Sequence, residues 1–248
     1  MSLIAILVDV ATNNFLNSTS RWNHVVLPKS GAADTMFESW QQLNKAVRLD
    51  VESICRDGCK ELREKIQQKS NAANEALAKI LKNAKIITDA TIPKELRNVV
   101  TEVSIPFGVE SIGDDTFNNC TSLKSITIPN SVKSIGKFAF YNCISLENII
   151  IPDSIKSIGN YAFSRCKSLK SITIPYSVKS IGNGAFSNCA SLNSITIPDT
   201  VKSIGEWTFA SCTSLNEVIF KGKTIDQVNA MANYPWGIKD TSVIRCEN

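Results

Sequence analysis

From Phe107 onward the chain writes one phrase of 23 residues five times, starting at Phe107, Asn130, Asp153, Tyr176 and Asp199. Each copy carries Ser-Ile-Gly, then Phe, Cys and Ser-Leu. Four copies close on Ile-Pro, at Pro129, Pro152, Pro175 and Pro198, and the fifth closes on Phe220-Lys221. A shortened copy, "VVTEVSIP" at Val99 to Pro106, precedes them. A unit this short cannot bury an apolar face alone. Copies must stack, each touching only its neighbours, and that requirement excludes most folds before any other residue is considered.

Inside a copy, "SLKSITIP" alternates: Leu123, Ile126 and Ile128 face one way, Ser125 and Thr127 the other. The proline then ends the strand, because it has no N–H for a ladder. "SVKSIG" reads as a second short strand or turn ending at a conformationally permissive glycine. The Ala-Phe-x-x-Cys stretch fits one helical turn that brings Ala, Phe and Cys inward. The column Cys120, Cys143, Cys166, Cys189, Cys212 is then a stack of thiols. Strand spacing of about 4.7–4.9 Å does not by itself exclude disulfides. Parallel Cβ directions and an odd number of thiols favour buried free cysteines, which pack as small hydrophobes.

The phrase, close to I-G-x-x-A-F-x-x-C-x-x-L-x-x-I-x-I-P, resembles the BspA-like class of leucine-rich repeat over residues 88–220. The resemblance implies a right-handed solenoid with stacked short strands on one face. It also implies a recognition scaffold without catalytic residues. The tail "KGKTIDQVNAMANYPWGIKDTSVIRC" resembles the closing segment of such arrays, including arrays encoded by gut phages. The expected fold class is α+β: an N-terminal segment with a long helix, followed by the solenoid.

Residues 35–87 contain no proline. A capping box fits "TMFE" at Thr35 to Glu38, with Asp34 as a competing cap. Leu62, Ile66, Ala73, Leu77, Ile80, Ala84 and Ile87 follow at intervals near 3.5 residues. A continuous helix here would be about 75 Å long and would seek partner helices. The expected organisation is therefore 1–34 as an attachment segment, 35–87 as a self-associating helix with an intramolecular hairpin as the alternative, 88–221 as repeats and 222–248 as a cap. Deleting residues 1–87 is expected to leave a soluble, monomeric repeat domain.

Composition restricts function without naming it. Basic and acidic residues number 27 and 23, split 14 and 11 before residue 100 and 13 and 12 after it. Neither half is a basic block, so nucleic acid is not an expected partner. No apolar run reaches the ~18 residues of a membrane-spanning helix. "LIAILVDV" lacks the basic flank and cleavage site of a signal peptide. His24 is the single histidine, and no phosphate-binding, zinc-protease or nucleophile-elbow motif occurs. Cys55 and Cys59 stand one helical turn apart but lack further ligands for a metal. No enzyme, cofactor or metal is expected.

Recognition then falls to outward columns where the copies differ. One column reads Glu110, Lys133, Lys156, Lys179, Lys202, a basic stripe for an acidic partner or a solvated ladder. Another reads Asp115, Phe138, Tyr161, Gly184, Trp207, aromatic rings amid polar neighbours. Phe107 and Tyr176 occupy a third, after the proline. The expected partner-binding residues are Phe138, Tyr161, Trp207 and the four lysines, and the expected partner is a protein or glycan. The whole reads as a phage fibre or appendage component contacting a host surface, homo-oligomeric and trimeric if fibre-like, in a virion or cytoplasmic setting. The alternatives are an intracellular phage-encoded inhibitor of a host defence complex and a cell-surface adhesin. A compact monomer would favour the inhibitor, an elongated oligomer the fibre.

Overall fold

The computed structural model describes residues 60 and 62–247. The segment 1–34, the helix start near Thr35, and His24, Cys55 and Cys59 lie outside the described residues. The chain divides into two units, Met1–Gln67 and Gln68–Asn248. In the first, the described residues are helical, with Leu62 and Ile66 exposed. They begin helix α1, residues 62–81.

The second unit is a parallel β-solenoid with two ladders. The first ladder joins β1 (Ile86–Ile87), β3 (Ser111–Ile112), β5 (Ser134–Ile135), β7 (Ser157–Ile158), β9 (Ser180–Ile181) and β11 (Ser203–Ile204) in one six-stranded sheet. Register advances by one repeat per strand from β3 on, so Ser134 pairs with Ser157 and Ser157 with Ser180. The second ladder is split. β2 (Glu102–Ser104), β4 (Ser125–Thr127) and β6 (Asn148–Ile149) form one sheet. β8 (Ser171–Thr173), β10 (Ser194–Ile197), β12 (Glu217–Lys221) and β13 (Ile244–Glu247) form the other. The break coincides with "ENIIIP", where Ile150 stands in place of the threonine of neighbouring copies and is 83% exposed. Across it Lys170 N donates to Glu147 O at 3.3 Å, and the two side chains pair at 3.5 Å.

Between the ladders lies one continuous core made of nearly invariant inward columns. In the second copy these are Val132, Ile135, Ala139, Phe140, Cys143, Leu146, Ile149 and Ile151, all buried. The phenylalanines form a rod of near-parallel rings, Phe117–Phe140–Phe163–Phe186–Phe209, with centroids 5.1–6.0 Å apart. Such offset stacking adds about 0.5–1.5 kcal/mol per pair beyond area burial.

The glycine column serves a different purpose from the one its sequence suggests. None of Gly113, Gly136, Gly159, Gly182 and Gly205 has positive φ. Their role is close approach: a Cβ on Gly159 would stand 2.5 Å from both C and O of Gly136. The left-handed positions come two residues later, at Asp115, Phe138, Tyr161, Gly184 and Trp207, with φ of 52–58°. A second left-handed column runs Asn119, Asn142, Arg165, Asn188, Ser211.

The helix expected to continue to 87 ends at 81, and Ile86–Ile87 are already the first strand of the first ladder. The reason is packing. Leu77 and Leu81 are buried in the solenoid's own core, and Ser70 and Asn74 bond Thr101. Helix α1 thus closes the first rung, and deletion through residue 87 would strip a strand and its cover together. Residues assigned to an intermolecular seam are divided: Leu77 is spent inside this unit, while Ile80 is exposed. At the same end lies the short helix α2 (Lys94–Arg97). Its buried Arg97 donates to the carbonyls of Asn118 at 2.7 Å and Asp89 at 2.8 Å and pairs with the Asp89 carboxylate. At the far end, helix α3 (Ile225–Asn229) leads to Trp236. Trp236 is fully buried against Phe220 at 5.5 Å, and its carbonyl accepts Phe209 N at 3.0 Å.

Candidate recognition surface

The cysteine column has no catalytic arrangement. The five repeat cysteines are free, and Cys120, Cys143, Cys166 and Cys189 are fully buried. Each thiol from Cys143 to Cys212 points at the carbonyl of the phenylalanine 26 residues earlier, with S···O of 3.1–3.2 Å. Cysteine therefore combines a small apolar body with a weak donor for an inward carbonyl. Burial pushes the Cys120 and Cys212 thiols up to about 12, and raises the three between them well above the usual thiol value. Neutral thiols of this kind are neither nucleophiles nor metal ligands at ordinary pH. Among the described residues no three His, Cys, Asp or Glu side chains gather as a metal site, and no helix is long and apolar enough to cross a membrane.

The four-lysine column is laid down by the first ladder. Lys156 N donates to Lys133 O at 3.1 Å, Lys179 N to Lys156 O at 2.9 Å, and Lys202 N to Lys179 O at 2.8 Å. All four side chains are exposed. The outer Lys133 and Lys202 ammonium groups reach back to the carbonyls of Asn130 and Asp199 at 3.5 and 3.4 Å.

The aromatic column is assembled by the left-handed turn that follows each glycine. Phe138 and Tyr161 stack at 5.1 Å with planes 4° apart, both half-buried. Trp207 stands apart, 60% exposed, and stacks on no other described ring. Two neighbours enlarge the patch and escape the column reading. Tyr141 meets Phe138 edge-on at 5.6 Å, and the Arg165 guanidinium lies over the Tyr141 ring at 5.6 Å. The signal for both was available as single departures, a tyrosine and an arginine in columns otherwise filled by Asn, Ser and Ala. Tyrosine, tryptophan and arginine are the residue types that dominate binding energies.

A second surface lies over the second ladder. An open depression of about 830 Å³ follows its outer side, lined among others by Ile150, Thr173, Tyr176 and Thr196. Ile150 and Tyr176 are exposed there, and Phe107 of the same post-proline column as Tyr176 is 86% exposed. Ile150 was legible only as an isoleucine where the copies on either side carry threonine.

Comparison with known proteins places these features in context. Residues 96–216 match the description "BspA type Leucine rich repeat region" in six copies. A leucine rich cell surface protein of Faecalibacterium prausnitzii is 38% identical with a TM-score of 0.51, over 53% of this chain and 35% of that one. The T. pallidum leucine rich repeat protein is 30% identical with a TM-score of 0.50, over 59% of this chain and 69% of that one. A Bacteroides ovatus leucine-rich repeat protein is 33% identical with a TM-score of 0.48. This chain spans only 35% and 38% of the F. prausnitzii and B. ovatus chains. A search among curated proteins found no match.

Proposed function

Because this chain belongs to the BspA-type leucine-rich repeat family, we propose that it is a non-enzymatic recognition module, displayed at a surface, that binds a protein or glycan through the turn edge. The observation that carries this reading is the contrast between columns. Inward positions repeat almost without change and are buried through the middle of the array, whereas the turn edge gathers Phe138, Tyr141, Tyr161, Arg165 and Trp207. Rigid rings offer large contact area at small entropic cost. In this reading Lys133, Lys156, Lys179 and Lys202 set association rate and salt dependence more than affinity.

Display at a surface is favoured over an intracellular inhibitor by the likeness to the F. prausnitzii cell surface protein. The finer version, a phage fibre or appendage, is favoured by one observation: Leu62 and Ile66 are exposed one helical turn apart and suit self-association. A homo-oligomer, trimeric if fibre-like, belongs to that version, as does a virion setting.

The test is saturation binding of labelled protein to bacterial cells. Binding should saturate, and Trp207→Ala should weaken it by about 1 kcal/mol or more without moving the melting temperature. Lys156→Ala should weaken it less, with an effect that fades in salt. Binding that never saturates, or that ignores Trp207→Ala, overturns the proposal.

A further inference from the structure

The two ladders carry charge differently. On the second, Lys124, Glu147 and Lys170 alternate in sign down one column, and Lys170 pairs with Glu147 at 3.5 Å. On the first, Lys133, Lys156, Lys179 and Lys202 follow one another with no carboxylate between them, and Glu110 holds the column one rung earlier. Hydrogen bonds from each lysine N–H to the lysine carbonyl before it keep the backbones in step, about 4.7–4.9 Å per rung. The stems are flexible, so the ammonium groups splay from that spacing. Among the described residues none of the four joins an ion pair. Lys133 and Lys202 reach only carbonyls of their own rungs, and Lys156 and Lys179, in the middle, donate from their side chains to no described residue. Asp153, Asp199 and Glu206, on the same rungs, stand three or four residues away and outside ion-pair distance.

What surrounds the row decides what it can hold. A serine follows each lysine (Ser134, Ser157, Ser180, Ser203), and no large exposed apolar side chain stands in the column. Protein interfaces centre on apolar and aromatic side chains and are depleted in lysine, so the row suits a protein poorly. Single-stranded nucleic acid needs open ring faces beside the charge, and Phe138 and Tyr161 spend a face on each other at 5.1 Å. A hydrated linear polyanion needs neither. A chain of uronic acid sugars carries one carboxylate per residue and advances, residue by residue, by a length close to the rung spacing. Each lysine arm then meets its own sugar.

We propose that the four-lysine column seats an acidic polysaccharide, laid along the first ladder with one carboxylate for each of Lys133, Lys156, Lys179 and Lys202. The carboxylates offset the repulsion among the ammonium groups. The contact stays solvated, so bound counterions leave as the polymer arrives and affinity falls with salt. One lysine contributes little, in keeping with the small loss expected of Lys156→Ala; the row acts as a set. The inference rests on the recognition reading above and names the chemistry of its glycan.

The test titrates the full chain, over a range of salt, with oligogalacturonates of increasing length, their neutral methyl esters, polyglutamate and single-stranded DNA. Affinity for the galacturonates should rise with length and level off once a chain covers the four rungs. The esters should not bind, and polyglutamate and DNA should bind more weakly. Lys156→Gln/Lys179→Gln should lose on the order of tenfold in affinity and about two from the salt slope, with an unfolding curve like wild type. Lys124→Gln/Lys170→Gln, the same charge change on the second ladder, should keep both affinity and slope. No galacturonate binding at low salt overturns the proposal. So do equal losses in the two double variants, which would make net charge the cause, and equal affinity for DNA or polyglutamate. If Lys156→Gln/Lys179→Gln binds galacturonates like wild type while Trp207→Ala still loses cell binding, the row is a solvated face and the turn-edge reading stands without it.

Discussion

Replacing Gly159 by alanine tests how the rungs are spaced. The added Cβ would meet C and O of Gly136 at 2.5 Å and Lys137 N at 2.7 Å, all backbone atoms that no side-chain rotation can move away. Ordinary contact begins at 3.4 Å, so the second and third copies must part locally by about 0.9 Å. That displacement stretches Gly159 N to Ile135 O, now 2.9 Å, and Lys156 N to Lys133 O, now 3.1 Å. Overpacking costs about 1–3 kcal/mol, and two weakened hydrogen bonds add about 1–3 kcal/mol. The expected loss is therefore about 2–6 kcal/mol. Gly113→Ala is the internal control: its Cβ meets Ile87 O at 3.0 Å, the Thr88 methyl at 3.4 Å and Thr88 Cα at 3.7 Å, one tight contact in place of three, at the first rung of the array. It should cost about 1 kcal/mol or less. Urea titration followed by circular dichroism measures both. Equal losses, or a Gly159→Ala loss under about 1 kcal/mol, would refute the close-approach account of this column.

Two further outcomes follow from the core. Because burial raises the repeat thiols above their usual value, the folded state holds protons that the unfolded state releases from about pH 9; stability should be level below that pH and fall between about 9 and 12, by about 1.4 kcal/mol per pH unit for each thiol titrating only when unfolded. Cys166→Ala should flatten this slope in urea titrations at stepped pH, and an unchanged slope would exclude the thiols as its source. Leu81→Ala, at a fully buried position of the helical cover, should cost about 2–5 kcal/mol, whereas Ile80→Ala at an exposed one should stay within about 0.5 kcal/mol; similar melting shifts for the two would mean that α1 does not close the array.

The parts of the fold legible in the sequence are those where one column does one thing. Leu, Ile, Phe and Cys recur at fixed offsets because each is turned into the core, so period and pattern led directly to stacked strands around a single core. The glycine column misled because permissive φ and absent volume leave the same residue in the sequence. The φ of these glycines and the rung-to-rung distance at Gly159 separate the two. The helix was overextended because Leu77, Ile80, Ala84 and Ile87 fit a seam as well as they fit a cover followed by a strand. The burial of Leu81 and the pairing of Ile86–Ile87 with Ser111–Ile112 decide it, and both depend on residues far along the chain. At the surface, Phe138 and Tyr161 were visible as rings in one column, but their neighbours Tyr141 and Arg165 join them only through the turn geometry.

The central claim is that inward columns hold the solenoid and the turn edge does its recognition. Cell-binding isotherms of two double variants test it most directly: Tyr161→Ala/Trp207→Ala on the turn edge and Ile150→Ser/Tyr176→Ser over the second ladder. The account predicts that the first loses on the order of tenfold or more in affinity and melts like wild type, while the second binds normally. Loss confined to the Ile150/Tyr176 variant would contradict it and move recognition to the depression over the second ladder.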